Sequence, residues 1–294
     1  VTSSAFTVNS SLPTIAAIET GAFSWGAVLN ATEDNANGTV SITTTGVDNG
    51  QTVTLVLNGA NYTNTITDNA TTVTITAAGL QALTDGQSYT MTANVSDADG
   101  NAAAEVTSSS FSVDTTLPSI SAIATSAFSW GAVLNATEDN ANGTVTVSTT
   151  GVEDGQTVTI TLNSANYTNT ITDNATTVTI TAAGLQALTD GQSYTMTANV
   201  SDAAGNAASE VTSSAFTVNS SLPTIAAIET SAFSWGAVLN ATEDNSNGTV
   251  TVTTTGVDDG QTLTIVLNVA NYTGSVSSNS VTVTIPDTVL QALT

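Results

Sequence analysis

A chain of 294 residues that repeats itself every 105 residues has few ways to fold. "FSWGAVLNATED" begins at 23, 128 and 233, "ANYT" at 60, 165 and 270, and "LQALT" at 80, 185 and 290. A unit of that length is large enough to bury one core and too short for two. The expectation is a row of copies of one fold. Residues 1–11 correspond to 106–116 and 211–221 and read as the C-terminal strand of a preceding copy. Complete copies then span 12–116 and 117–221, and an incomplete third spans 222–294. Three periods take 315 residues, and the 21 lacking correspond to "DGQSYTMTANVSDADGNAAAE", so the chain reads as a window on a longer array. Residues 1–20 equal 211–230 letter for letter, whereas the middle linker is "VDTTLPSISAIAT", which points to two alternating linker types.

Within one copy, apolar residues alternate with Thr, Ser and Asn in "GTVSITTTG", "QTVTLVLNG", "TTVTIT", "QSYTMTANVSD" and "VTSSSFSVD". Period-two alternation rich in Val, Ile and Thr marks strands that bury one face. Turn sequences such as "GVDNGQ", "LTDGQ" and "SDADGN" separate them. About seven strands per copy is the count of an immunoglobulin-like sandwich. The predicted fold class is therefore all-β: tandem immunoglobulin-like β-sandwich domains in an extended rod. "AAGLQAL" at 77–83 offers a turn or two of helix. The predicted core of the first copy includes Phe23, Trp25, Leu29, Val40, Ile42, Val53, Leu55, Leu57, Val73, Ile75, Leu80, Leu83, Tyr89, Met91, Val95, Phe111 and Val113.

Twenty-four acidic residues stand against no Lys, Arg or His, a formal charge of −24, so no side-chain salt bridge can form. That balance excludes the electrostatic footprint of a nucleic-acid binder and disfavours anionic membrane surfaces. Metal ions, basic surfaces and neutral ligands remain as partners. Only 8% of the residues are charged, which is too few for a disordered acidic tail. No apolar run is long enough to insert in a membrane, and no cysteine is present for disulfides or thiolate sites. Without His, Cys or Lys there is little to serve as base or nucleophile, and a two-carboxylate glycosidase needs a concave site that thin sandwiches do not offer. The expectation is that the chain is not an enzyme.

The acidic residues sit in turns. In a sandwich entered at one end and left at the other, alternate loops gather at each end. The far end of the first copy collects Glu33 and Asp34 of "NATEDNANGT", Asp85 of "LTDGQ" and Asp114 of the linker "VDTTLP". The near end of the second copy brings Glu153 and Asp154 of "GVEDGQ" and Asp202 of "SDAAGN". Asp48, Asp97 and Asp99 hold the matching near-end places of the first copy. Hard oxygen ligands from several loops, without His or Cys, suit Ca²⁺, which accepts about 6 to 8 oxygens in flexible geometry. Such an ion offsets carboxylate repulsion and fixes the angle between copies. At the 221/222 junction the candidates are Glu138, Asp139, Asp190, Asn219, Asp258 and Asp259; Asn9 and Asn219 stand where the middle linker has Asp114, so weaker binding is expected there. "DADGN" resembles the opening of an EF-hand loop, but Ser108 stands where that loop carries its Glu.

The stretch from "GVEDGQTVTI" through "LTDGQSYTMTANVSDAAGN" to the proline-bearing linker resembles the bacterial immunoglobulin-like repeats of giant biofilm adhesins exported by type I secretion. "GV.DGQTVT", "L.DG..Y" and "SDAAGN" occur in order in the second copy, after the linker "VDTTLP" that fits "VD.T.P", and the resemblance covers both complete copies and both partial ones. The resemblance is strongest to the extender regions of calcium-dependent adhesins of marine bacteria, the ice-binding adhesin among them. It implies an extracellular stalk on the bacterial cell surface, stiffened by calcium at its junctions, with neighbouring repeats as partners and the tip ligand bound outside this segment. Glu33, Asp34, Asp85 and Asp114 match the junction positions of that family.

Two other readings arise from the residues. Exposed rows such as "TTTG" and "NYTNT" could make each repeat a binder of carbohydrate, ice or another surface. Residues 1–11 could instead complete the third copy of a neighbour by strand exchange, building a filament. That requires one strand to stand in for a gap of 21 residues that contains another.

Overall fold

The computed structural model describes residues 2–293. In chain order the first copy forms β1 (Thr14–Ile15), β2 (Val28–Asn30), β3 (Gly38–Thr45), β4 (Thr52–Leu57), β5 (Ala60–Thr65), β6 (Ala70–Ile75), α1 (Ala77–Gln81), β7 (Ser88–Tyr89), β8 (Met91–Asn94), β9 (Val106–Thr107) and β10 (Phe111–Asp114). Burial alternates residue by residue along β3, with Val40 and Ile42 inward. β3 pairs antiparallel with β1 on one side and β6 on the other. A second sheet runs β5-β4-β8-β9. In a third, β10 lies parallel to β2 and antiparallel to β7. The seven strands expected become ten because the sandwich's edges are made of two- to four-residue pieces.

Between the sheets lies an aromatic cluster. Phe23 and Trp25 stack at 5.4 Å, and Phe111 meets both edge-on at 5.7 and 5.3 Å. The indole lies flat over Gly38, where an added Cβ would come within 2.6 Å of the ring. Each predicted core residue is buried except Tyr89, which is half-buried, tilts against Phe111 and accepts a hydrogen bond on its hydroxyl from the Thr84 N–H at 2.9 Å. This is the tyrosine-corner arrangement of immunoglobulin-like sandwiches. Ile15, Ile18, Val47 and Ile66 join the core from loops and a two-residue strand, where no alternation announces them.

The same strands recur 105 residues on. Val145↔Val178 repeats the register of Val40↔Val73, and Gly143–Thr150, Thr157–Leu162, Ala165–Thr170 and Ala175–Ile180 repeat β3 to β6. The third copy repeats them again as Gly248–Thr255, Thr262–Leu267, Ala270–Ser275 and Ser280–Ile285. It has no residue in the place of Phe111. Phe233 and Trp235 stack at 5.3 Å but stay half-buried, lining an apolar groove of about 550 Å³ with Leu239 and Ile265. Packing divides the chain into two compact units. One holds residues up to 132, 142–184 and 194–216; the other holds 133–141, 185–193 and 217 onward. Among the described residues no helix is long and apolar enough to cross a membrane.

Residues 2–11 form no strand, although 106–116 and 211–221, nearly the same letters, contain β10 and its counterpart Phe216–Asn219. Strand β10 lies between β2 and β7, whereas residues 2–11 pair with neither. Phe6 is accordingly 85% exposed, whereas Phe111 and Phe216 are each 1% exposed.

Chain reversal between β4 and β5 uses the two-residue turn Asn58-Gly59, both at positive φ (50° and 77°), as tight hairpins require. The third copy places Val269 at that second position with φ 59° and 97% exposure. A β-branched residue there is strained by about 1–2 kcal/mol. Val269→Gly is therefore expected to stabilise the chain by roughly 1 kcal/mol in equilibrium urea unfolding. By the same measurement Phe111→Ala costs about 3–5 kcal/mol, while Phe6→Ala stays within about 0.5 kcal/mol.

Candidate functional site

The loop after β2 folds on itself before it meets anything else. Asn30 Oδ1 accepts from the N–H groups of Thr32 and Glu33, each at 3.0 Å, and Glu33 Oε2 accepts from the Asn30 N–H at 3.1 Å. This reciprocal pairing is a capping box without a helix behind it. It recurs at Asn135 with Glu138 and at Asn240 with Glu243. One oxygen of each Glu is thereby engaged. Asp34 differs: its Oδ1 is buried and has no hydrogen-bond partner, as has Asp244 Oδ1 in the third copy. Burial holds the Asp34 carboxyl above the usual carboxylate range.

Most other carboxylates are consumed by backbone donors. Asp85 accepts from the Thr115 N–H at 2.7 Å and the Thr116 hydroxyl at 2.6 Å, and these bonds hold it below its ordinary value. Asp190 repeats this with the Ser220 N–H at 2.7 Å and the Ser221 hydroxyl, again lowered. Asp97 accepts from the N–H groups of Asp99 and Asn101 and from the Asn101 amide; the Asn101 amide is the largest cause of its lowered value. Asp48 accepts from the Ala98 N–H at 3.0 Å, and Glu153 does the same for Ala203 at 2.8 Å.

Two of the candidates turn inward to their own sandwich. Asp154 accepts from the Asp173 N–H at 2.8 Å and Asp259 from the Ser278 N–H at 2.6 Å, each pinning a hairpin turn. Asn49 does the same for Asp68 at 2.8 Å in the first copy, so the position needs an acceptor and not a charge. Asp139 accepts only from its neighbour Asn140. Asp258 holds the place of Asp48 and Glu153.

The loop Asp202–Asn206 of the second copy lies against the linker and the loop after β2. Asp202, 3% exposed, accepts on Oδ1 from the Asn206 N–H and on Oδ2 from the Asn206 amide, both at 2.8 Å. Asn206 is 1% exposed and reaches across the joint: its amide donates to the Asp114 carbonyl at 3.0 Å and its Oδ1 accepts from the Ala31 N–H at 2.7 Å. The Asn30 amide donates to the Ala204 carbonyl at 3.1 Å. Asp114 accepts from the Thr116 N–H, yet its carboxyl is held above the usual range, first by burial and then by the charges of Asp202, Asp85 and Glu153. Among the described residues no three carboxylates close on one point at metal-ligand spacing. The donors present are nonetheless hard oxygens throughout, and the buried, unpartnered Asp34 Oδ1 and the crowded Asp114 are what a hard cation would satisfy. Asn30 and Asn206 are the joint residues that acidity does not reveal. Their signal is a fixed place in each complete repeat, before "ATED" and at the end of "SDADGN" or "SDAAGN".

No family model matches the chain, and no curated protein does. Among solved structures, the chain is similar to the Ca²⁺-stabilised adhesin with which an Antarctic bacterium reaches out and binds ice, at 28% identity over 97% of this chain and 68% of that one, with a TM-score of 0.48. It is also similar to part of a 1.5-MDa bacterial ice-binding adhesin, at 26% identity over 97% and 90% of the two chains and a TM-score of 0.43. A bacterial immunoglobulin-like domain of the M. primoryensis ice-binding adhesin is 33% identical over 35% of this chain and 96% of its own length, with a TM-score of 0.26. Identity across that whole domain, rather than superposition, carries the assignment: the chain belongs to the bacterial immunoglobulin-like adhesin repeats.

Proposed function

We propose that the chain is a structural extender, a stalk segment of a large bacterial surface adhesin, whose joints are stiffened by Ca²⁺ and which projects a distal binding domain from the cell. The observation that carries this reading is the state of Asp114. It lies in a joint between repeats, desolvated and crowded by Asp202, Asp85 and Glu153, in a chain that has no cationic side chain to offset it. At this joint Asp34, Asp85, Asp114, Glu153 and Asp202 would hold the ion, with Glu33 beside them. At 221/222, Glu138, Asp139, Asp190, Asn219 and Asp258 offer a weaker set, because Asn219 brings no charge. The ion would supply positive charge and coordination across the joint; the chain's own residues already set the linker's path through Asp85 and the loop contact through Asn206. The related adhesin that is Ca²⁺-stabilised supports the choice of ion. The chain has no His, Cys or Lys to serve as base or nucleophile. The repeat limits at 116/117 and 221/222 are part of the same proposal, as is a location outside the cell.

The pH behaviour follows from the direction of the Asp114 shift. A carboxyl raised above its unfolded value of 3.8 favours folding while protonated, and that contribution is lost as pH rises through the folded value. At pH 7 without divalent cation the joint therefore carries the full repulsion. In excess EGTA at that pH, Asp114→Asn is expected to raise the thermal midpoint. Calcium at a hundredfold excess over its dissociation constant stabilises the original chain by about 2.7 kcal/mol and the Asn variant by clearly less. Equal stabilisation of both by calcium, in calorimetry of the two chains, would remove Asp114 from the site.

A further inference from the structure

Two joints of the same design can be compared within this chain. In one, the linker residue Asn9 faces the loop Asp97–Asn101; in the other, Asp114 faces the loop Asp202–Asn206. Both use the same clamp: the loop's last Asn donates to the linker carbonyl, Asn101 to Asn9 at 3.4 Å and Asn206 to Asp114 at 3.0 Å. The side chains around that clamp differ at two places together. Where the linker residue is Asn9, the loop's third residue is Asp99, and the Asn9 amide donates to Asp99 Oδ2 at 2.8 Å. Where the linker residue is Asp114, the third residue is Ala204, which presents only its carbonyl, accepting from Asn30. One carboxylate thus changes sides between the two joints, and the pair never contains two.

The physical reason is the lack of cations. Asp114 already meets the charges of Asp202, Asp85 and Glu153, and a further carboxylate at position 204 would have no partner. The amide of Asn9, conversely, gains a charged acceptor in Asp99, a bond stronger than a neutral one.

We propose that positions 9/114 of the linker and 99/204 of the following loop form a matched pair that decides which repeat can follow which. An Asn linker takes an Asp-bearing loop, and an Asp linker takes an Ala-bearing loop, so like repeats do not join indiscriminately when the chain folds or recombines. This rests on the reading of the joints as the elements that set the stalk's geometry, but it requires no bound ion.

The test is a double-mutant cycle in excess EGTA, read by NMR amide hydrogen exchange at Ala31, whose N–H crosses the joint to Asn206. The loop tolerates Asp at this place, since Asp99 sits in a turn closed by the same bonds from the last Asn to the first Asp. Ala204→Asp is expected to speed exchange at Ala31 roughly tenfold next to Asp114, and not to speed it when combined with Asp114→Asn. Exchange at Val147, in the core strand of the second copy, should be unchanged in all variants and so reports folding separately. Equal acceleration by Ala204→Asp in both backgrounds, or none in either, overturns the proposal. Because calcium is absent throughout, a failure of ion binding elsewhere leaves this result untouched, and the reverse also holds.

Discussion

No carboxylate in this protein can pair with a cationic side chain, so each one taken out of water needs a backbone N–H, an amide, a hydroxyl or an ion from solution. That constraint organises the loops. Glu33 caps its own turn, Asp85 ties down the linker, Asp97 and Asp202 build the loops that face it, and Asp154 and Asp259 pin hairpins. A bond to a charged acceptor is stronger than a neutral one, less so where water screens it. Two features remain after this accounting: a buried carboxylate oxygen without a partner on Asp34 and again on Asp244, and Asp114 at the joint, crowded by other carboxylates.

The core solves a separate problem and solves it identically in each complete copy. Trp25 over Gly38, stacked on Phe23 and met edge-on by Phe111, becomes Trp130 with Phe128 and Phe216. The dependence on context is visible in the segments that share one sequence. Phe6 stands in solvent while Phe111 and Phe216 are enclosed, and Trp235 lies half-open where no such residue reaches it. Enclosing the aromatic cluster of a copy therefore depends on bringing β10 back beside β2, a contact between residues some eighty positions apart in sequence.

The alternation of Val and Ile with Thr makes β3, β4 and β6 legible in the sequence, and the aromatic motif makes their core legible too. The short strands β1 and β2 carry no period that distinguishes them from loop, since two or three residues cannot show one. Strand β5, "ANYTNT", is almost wholly exposed and declares itself only through its hairpin turn. At the site, acidity and topology together say which loops gather at one end of the sandwich. Acidity does not say which way each carboxylate turns. Asp154 and Glu153 are adjacent, yet one serves the hairpin of its own sandwich and the other the loop at the joint. Nor does it single out Asn206, a neutral residue among many Asn, whose burial and cross-joint bonds exist only in three dimensions.

Stiffening of the joints by calcium is tested most directly by small-angle X-ray scattering of the 294-residue chain, first with calcium and then with excess EGTA. With calcium, the maximum dimension should approach that of sandwiches laid end to end, each contributing about 35–45 Å from strands rising ~3.3 Å per residue plus loops. Chelation should shorten and broaden the distance distribution as repulsion between carboxylates loosens the joints, with added monovalent salt restoring it only in part because screening is not coordination. A distribution that is the same with and without calcium would contradict the claim and leave the joint carboxylates as solvated turns.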